Sequence, residues 1–186
     1  MRIAFTIIFC CIFCLTQAQP GVAQDPINHG GKIETKYDGF ALDTVIRLRK
    51  MKVNCTGFKS KFDQTCVSID VALHCPGSQV SHVSDVTLQL IFETKSWGQS
   101  HAPHQRDLLI AIDTETWKLG RMRLMPQVTT GTQDRSTETL QATLSYKMFK
   151  RMVSAQNVEM KVGPSAMALS EKNLLALRDL DNRIIK

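Results

Sequence analysis

Alternating apolar and polar residues predict that most of this chain forms β-strands. The clearest case is residues 65–75, where every second residue is apolar. One side of that strand carries Val67, Ile69, Val71 and Leu73. The same alternation predicts strands over residues 86–93, 137–145 and 158–162. We therefore expect one face of each strand to be buried and the other to face water.

Two other segments predict strands with irregular features. Residues 44–54 are apolar and basic, and the phase of their alternation changes near Arg49 and Lys50, which predicts a turn or a β-bulge. Residues 108–113 are more uniformly apolar, which predicts a more fully buried strand. A tight turn then leads into residues 117–119 and completes a hairpin.

Two stretches show helical spacing instead. Residues 146–155 carry an apolar stripe made of Met148, Phe149, Met152 and Val153. A second helix is predicted from Glu171 to about Ile185, because Ser170 before it is a good N-cap residue. The apolar stripe of this helix consists of Leu174, Leu177, Leu180 and Ile184, broadened by Leu175.

These elements predict a mainly β fold of the α+β class, with one domain over residues 32–186. We expect an antiparallel sheet system, either a sandwich or a half-open barrel. A short helix and a C-terminal amphipathic helix that covers the sheets complete the predicted fold. A domain of this length has enough residues for a hydrophobic core.

The first part of the chain, residues 1–18, predicts a cleavable signal peptide. Arg2 precedes an uncharged apolar run over residues 3–15, and the residues up to Ala18 fit cleavage after that position. This run is shorter than the roughly 20 residues of a spanning helix, so we expect no membrane span after cleavage. Residues 19–31 lack periodicity and predict a flexible leader. The protein is therefore expected to be exported, to the periplasm or the exterior.

Export changes the interpretation of the cysteines. Three of the six cysteines leave with the signal peptide, which leaves Cys55, Cys66 and Cys75. A hairpin would bring Cys55 close to Cys66, and these two form the candidate disulfide in an oxidising compartment. Their side chains have opposite parity along the strands, so this pairing needs a bulge. Three reduced, mostly buried cysteines are the alternative.

A basic stretch is the main candidate for binding. The full chain has a formal charge of +6, and no acidic residue lies between Asp43 and Asp63. This interval could bind an anionic envelope component or a protein partner, or it could protect an edge strand from aggregation. Nucleic acid is not expected, because aromatic residues for base stacking are sparse. The basic residues are Arg47, Arg49, Lys50 and Lys52, followed by Lys59 and Lys61.

Candidate catalytic chemistry is sparse. His101 and His104 are the candidate metal ligands, but two ligands do not complete a site and their spacing matches no zinc motif. The sequence has no nucleophile elbow and no glycine-rich phosphate loop, so we predict no cofactor and no catalytic residue. We expect a non-catalytic binding or structural protein. A small-ligand or metal-binding protein, or a hydrolase, is the alternative, and the oligomeric state stays open.

Several short motifs follow one another in a characteristic order. Tyr37-Asp38-Gly39-Phe40 leads into the first strand, and Arg106-Asp107-Leu108-Leu109 lies in the middle of the domain. A VExxxGP motif over residues 158–164 and an LxALRDL motif over residues 174–180 follow. This order, over residues 37–186, resembles a family of small exported bacterial proteins of unknown function. The resemblance implies export and a β-rich domain closed by a helix, but it implies no reaction.

Overall fold

The computed structural model describes residues 31–56, 67–94, 101–126 and 136–184. The predicted signal peptide and the predicted leader up to residue 30 lie outside the described residues. The described helices are α1 (Tyr146–Ser154) and α2 (Glu171–Asn182), with a short 3₁₀ helix at Pro103–Gln105. The described strands are β1 (Lys32–Asp38), β2 (Asp43–Lys52), β3 (Asn54–Thr56), β4 (Ser68–Pro76), β5 (Asp85–Thr94), β6 (Asp107–Ile112), β7 (Glu115–Arg121), β8 (Arg123–Leu124), β9 (Ser136–Leu144), β10 (Val158–Val162) and β11 (Ser165–Ala168).

The described strands form two antiparallel sheets. The first sheet has the order β1-β2-β4-β5-β9-β8, and the second has the order β3-β11-β10-β6-β7. The predicted mainly β fold with a C-terminal helix is therefore confirmed. Since the strands fall into two separate sheets, the architecture is sandwich-like rather than a half-open barrel.

The inward-facing residues of the strands are those that the alternation predicts. In β5, Val86, Leu88, Leu90 and Phe92 are all buried. Residues of both sheets and both helices belong to one hydrophobic cluster. Removing this apolar surface from water is the main force that holds the two sheets together.

The predicted phase change in β2 is confirmed as a β-bulge. The pairing of β2 with β4 shifts register between Leu48 and Met51, and both of these residues face the core. Lys50 lies within the bulge with a φ of 57°, and its backbone N–H donates a hydrogen bond to Asp70 Oδ1 at 2.7 Å. The extra residue explains why the alternation changes phase at this point.

Both predicted helices are confirmed, but the second is shorter than expected. The Ser170 hydroxyl accepts a hydrogen bond from the Asn173 backbone N–H at the start of α2, and the helix ends at Asn182 rather than near Ile185. The predicted apolar stripe is buried except at Leu175, which is exposed. Its expected contribution to the apolar face was therefore wrong. No helix in the described part of the chain is long and apolar enough to cross a membrane.

A polar contact joins the two helices. The Tyr146 hydroxyl donates to Asp181 Oδ1 at 2.8 Å, and Lys150 Nζ lies 2.6 Å from Asp181 Oδ2. Burial and this hydrogen bond raise the pKa of Tyr146 well above its usual value. Near the start of α2, Asn173 Nδ2 donates to the Lys52 carbonyl at 2.9 Å. The C-terminal helix is thereby fixed to both α1 and β2.

Two details of the sheets differ from the expectation. In β6, Leu108, Ile110 and Ile112 are buried, but Leu109 and Ala111 between them are only half-buried, so the prediction of a more fully buried strand was wrong. The edge strand β1 and the four-residue strand β11 were not predicted as such. The turn that joins β10 to β11 is formed by Gly163 and Pro164, the residues predicted to end the strand at 158–162.

Candidate functional site

The predicted basic residues lie at one edge of the first sheet. Glu34 pairs with Arg47 and Lys36 pairs with Val45 across β1 and β2, so their side chains share the outer side of the sheet. They line a shallow surface pocket of about 380 Å³. We call this surface the β1–β2 face, and it consists of Glu34, Lys36, Asp38, Val45, Arg47 and Arg49.

The acidic groups of the β1–β2 face have partners. Glu34 lies 2.6 Å from Lys32 Nζ and 3.7 Å from Arg49 Nη1, and these cations lower its pKa. Asp38 Oδ1 accepts hydrogen bonds from the backbone N–H groups of Phe40 and Ala41. The charge of Glu34 is therefore balanced by cations, while the hydrogen bonds of Asp38 stabilise its ionised form.

Two basic groups of the same face remain unpaired. Within the described ranges, Lys36 and Arg47 form no ion pair, while Arg49 is shared between Glu34 and Asp70. Because the face has three basic and two acidic side chains, the charge that it presents to a ligand is positive. An anion bound here would not have to break an existing ion pair to reach Arg47.

The other two predicted anion-binding residues lie farther along β2. Lys50 is exposed in the bulge, and Lys52 is exposed at the end of the strand. Lys59 and Lys61 lie outside the described residues. Of the four predicted residues, the structure therefore brings Arg47 and Arg49 together on the β1–β2 face.

A second cluster is buried between the two sheets. His101 Nδ1 lies 2.7 Å from Glu138 Oε2, and His101 Nε2 lies 3.2 Å from Ser165 Oγ. Glu138 belongs to β9 of the first sheet and Ser165 to β11 of the second, so the imidazole bridges the sheets. We call these three residues the Ser–His–Glu array.

The array is enclosed by its neighbours. The Phe92 ring lies 4.6 Å from the His101 ring, centroid to centroid, and Arg106 Nε donates to the His101 carbonyl at 2.8 Å. Gly163 passes so close that a Cβ placed on it would lie 2.8 Å from the Gln105 carbonyl oxygen. The exposed fractions of His101, Glu138 and Ser165 are only 7%, 3% and 8%. The array is thus part of the protein interior.

The structure separates the environments of the two predicted metal ligands. Both ring nitrogens of His101 face the array, whereas His104 is exposed in the 3₁₀ helix. His104 lines a surface pocket of about 250 Å³ with Lys118, Lys161 and Gly163 among its neighbours. In the part of the chain that the structure describes, no three His, Cys, Asp or Glu residues form a group that could hold a metal ion. Metal binding by these histidines therefore stays only the alternative that the sequence left open.

A similar chain of polar groups lies on the outer side of the first sheet. His74 Nδ1 lies 2.9 Å from Asp43 Oδ2, and His74 Nε2 lies 3.2 Å from Thr87 Oγ1. These three residues belong to the neighbouring strands β2, β4 and β5. An acid–imidazole–hydroxyl chain therefore occurs twice in this fold, which weakens the case that either one is specialised for catalysis.

The candidate disulfide lies outside the described side chains. Cys66 is outside the described residues, and only the backbone of Cys55, in β3, is described. Cys75 is a free thiol buried in the core. Burial raises the pKa of Cys75, and the nearby Asp43 carboxylate raises it further.

Glu138 and Ser165 were not among the predicted site residues. Glu138 does carry a signal in the sequence, because it lies in phase with the inward-facing Leu140 and Leu144 of its strand. A carboxylate at an inward position requires a buried partner. Ser165 carries no comparable signal, since it begins a short strand directly after a turn.

The chain matches no protein-family model, and no curated protein or solved structure is similar enough to count as a match.

Proposed function

We propose that this protein is an exported, non-catalytic domain that binds an anionic component of the bacterial envelope through the β1–β2 face. The observation that carries the proposal is the charge pattern of that face. Its three basic side chains outnumber its two acidic ones, Glu34 is paired with Lys32 and Arg49, and Lys36 and Arg47 form no ion pair in the described part of the chain. Arginine is well suited to phosphate and carboxylate groups because its guanidinium can donate two parallel hydrogen bonds.

Export is part of the proposal and depends on the N-terminal pattern. The uncharged apolar run over residues 3–15 supports cleavage after Ala18. Intact-mass measurement of the protein recovered from expressing bacteria tests this step. We expect a mature chain that begins at Gln19, and recovery of the full-length chain alone from the cytoplasm would contradict export.

Retention on immobilised heparin, a generic polyanion, tests the binding face. We expect the double variant Arg47→Glu/Arg49→Glu to elute at clearly lower salt than the wild type, since charge–charge contacts are screened by salt. The matched control is Lys118→Glu/Lys161→Glu, which changes the net charge equally on the second sheet. Both control lysines are exposed and border the pocket beside His104.

The two variants together show whether retention on heparin depends on the β1–β2 face or only on the net charge of the protein. If the control elutes with the wild type and the face variant elutes early, the proposal holds. Equal losses in both variants would mean that only the total charge matters. A wild-type protein that heparin does not retain would also contradict the proposal.

A hydrolytic reaction is the second candidate, and the Ser–His–Glu array favours it. In the tautomer that this reaction needs, His101 Nδ1–H donates to the Glu138 carboxylate. Nε2 of the neutral ring then accepts a hydrogen bond from the Ser165 hydroxyl. Ser165 Oγ could then add to a carbonyl carbon while its proton moves to Nε2. The burial of all three residues argues against this function, because a substrate must reach Oγ.

A fluorophosphonate probe tests the hydrolytic candidate. Covalent labelling of the wild type at Ser165, with loss of the label in Ser165→Ala, would support a nucleophilic serine. Absence of labelling in a folded protein would leave the array with a structural role. We expect no labelling.

A further inference from the structure

The turn between β1 and β2 presents apolar side chains to solvent. Phe40 is fully exposed, and Leu42 and Tyr37 are 63% and 45% exposed. These are three of the four exposed large apolar side chains in the described part of the chain; the fourth is Leu175 in α2. We call residues 37–42 the apolar tip. Such a concentration of exposed apolar surface is typical of an interaction site.

The apolar tip has a defined conformation. Asp38 Oδ1 accepts hydrogen bonds from the backbone N–H groups of Phe40 and Ala41. Leu42 has a φ of 50°, which is uncommon for a residue other than glycine, and its carbonyl accepts a hydrogen bond from Gly77 at 2.7 Å. The fold therefore holds Phe40 and Leu42 in water, although exposure of apolar side chains to water is unfavourable.

Unpaired basic groups stand behind the tip on the same hairpin. Lys36 is two residues from Asp38, about 7 Å along the strand, and Arg47 is four residues from Asp43, about 13 Å along β2. The Lys36 spacing lies within the roughly 5–10 Å over which an interfacial element enters a bilayer surface, whereas Arg47 lies farther back on the hairpin. Long basic side chains can also extend toward headgroup phosphates.

We infer that the β1–β2 hairpin docks on an anionic phospholipid surface, with Phe40 and Leu42 inserted between the headgroups and Lys36 and Arg47 bound to lipid phosphates. This inference rests on the proposed anion-binding function and names the class of ligand. It uses two kinds of contact at once, apolar insertion and attraction to negative charge. One such contact alone gives only weak membrane binding, and two together hold a protein more firmly.

A lipid surface fits the hairpin better than a soluble polyanion does. A polyanion would engage Lys36 and Arg47 but would leave Phe40 and Leu42 in water. The acids of the hairpin are outnumbered, since residues 32–52 carry six basic and three acidic side chains, so the hairpin as a whole is attracted to a negative surface. The lipid surface is the ligand that uses both features of the hairpin.

Co-sedimentation with vesicles tests the inference, using the mature protein. Vesicles of phosphatidylcholine alone are compared with vesicles of equal parts phosphatidylcholine and phosphatidylglycerol. We expect binding to the mixed vesicles, and we expect Phe40→Ser/Leu42→Ser to weaken it by about tenfold or more for each side chain. Leu175→Ser, which alters the exposed leucine of α2, is the matched control and should bind as the wild type does.

A second measurement reports insertion directly. In the variant Phe40→Trp, the added tryptophan emission should shift to shorter wavelength when mixed vesicles are added, relative to the wild type. Unchanged vesicle binding of Phe40→Ser/Leu42→Ser, or an unshifted emission of bound Phe40→Trp, would overturn the insertion.

Heparin retention distinguishes docking on a lipid surface from the more general binding of anions by the β1–β2 face. The Phe40→Ser/Leu42→Ser variant should elute from heparin with the wild type, because its basic residues are intact. A wild type that binds heparin but not mixed vesicles would overturn the lipid inference and leave anion binding in place. A wild type that binds neither would contradict the proposed function itself.

Discussion

The carboxylate of Glu138 holds both the backbone and the ring of His101. Glu138 Oε1 accepts the His101 backbone N–H at 2.9 Å, and Oε2 lies 2.7 Å from Nδ1. Glu138 lies in a strand of the first sheet, whereas His101 lies in the connection that leads to β6 of the second. This pair therefore ties the loop to the opposite sheet in the interior of the sandwich.

Removing the carboxylate should destabilise the protein. We expect Glu138→Ala to lower the free energy of unfolding by about 2–4 kcal/mol, because it leaves two buried donors of His101 without an acceptor. Glu138→Gln, which keeps an acceptor oxygen, should cost less. The control Glu159→Ala, at an exposed position of β10, should stay within about 0.5 kcal/mol of the wild type. Urea unfolding measures all three, and equal effects at both positions would contradict the role of Glu138.

The close approach at Gly163 gives a second stability prediction. Gly163 and Gly120 have φ values of 53° and 80°, so an alanine is strained at either position. Only at Gly163 would the new Cβ also meet the Gln105 carbonyl, whereas at Gly120 nothing lies within 4 Å. We expect Gly120→Ala to cost about 1–2 kcal/mol and Gly163→Ala about 3 kcal/mol or more. Thermal or urea unfolding of the two variants measures the difference in their free energies of unfolding. Equal losses would contradict a costly contact between the new Cβ and the Gln105 carbonyl.

The turn of the apolar tip should weaken in acid. Hydrogen bonds from the backbone N–H groups of Ala41 and Phe40 lower the pKa of Asp38 below its ordinary value of 3.8. The folded chain therefore favours the carboxylate, and its stabilising effect is complete above the ordinary pKa and lost as the pH falls through the lower folded value. The carboxyl carbon of Asp38 followed by NMR should titrate below 3.8.

The variant Asp38→Asn provides the control for this titration. Asparagine can still accept hydrogen bonds through its amide oxygen but does not titrate. Exchange of the Phe40 amide proton should accelerate in acid in the wild type relative to this variant. A carboxyl midpoint at or above the ordinary value would contradict the two turn hydrogen bonds.

The Cys75 thiol should be unreactive in the folded protein. Burial, and to a lesser degree the Asp43 carboxylate, raises the pKa of Cys75, and the thiolate is the reactive form. We expect little alkylation of Cys75 by iodoacetamide at mildly alkaline pH until urea is added, as followed by peptide mass spectrometry. Rapid alkylation of the native protein would contradict this environment. Peptide mass spectrometry of a digest prepared without reducing agent tests the predicted Cys55–Cys66 disulfide.

Much of the fold was predictable because most described strands have one buried and one more exposed face. The central strand β4 is an exception, since Asp70 and Ala72 on its predicted water-facing side are buried as well. The period of two identified the inward residues of β4 and β5, and the phase change near Arg49 and Lys50 identified the bulge. Strand β1 escaped prediction since it is an edge strand with mostly exposed residues, so its sequence lacks a buried face. Only its pairing with β2 in the structure identifies it as an edge strand of the first sheet.

The candidate sites were less predictable because their members are distant in sequence. Arg47 and Arg49 could be proposed from the local charge pattern, but the pairing of Glu34 with Lys32 and Arg49 depends on the register of β1. The same holds for Ser165, which meets His101 across the two sheets. The exposure of Phe40 also depends on the hairpin, since an aromatic residue near a strand normally packs in the core.

The most direct test of the proposed function is an NMR titration of the ¹⁵N-labelled mature protein with a short heparin oligosaccharide. We predict that the largest shift changes fall on the backbone amides of β1 and β2 and on the Nε groups of Arg47 and Arg49. Strands β6, β7 and β10 of the second sheet should change little. Changes centred on Lys118 and Lys161, or no changes in β1 and β2, would contradict anion binding by the β1–β2 face.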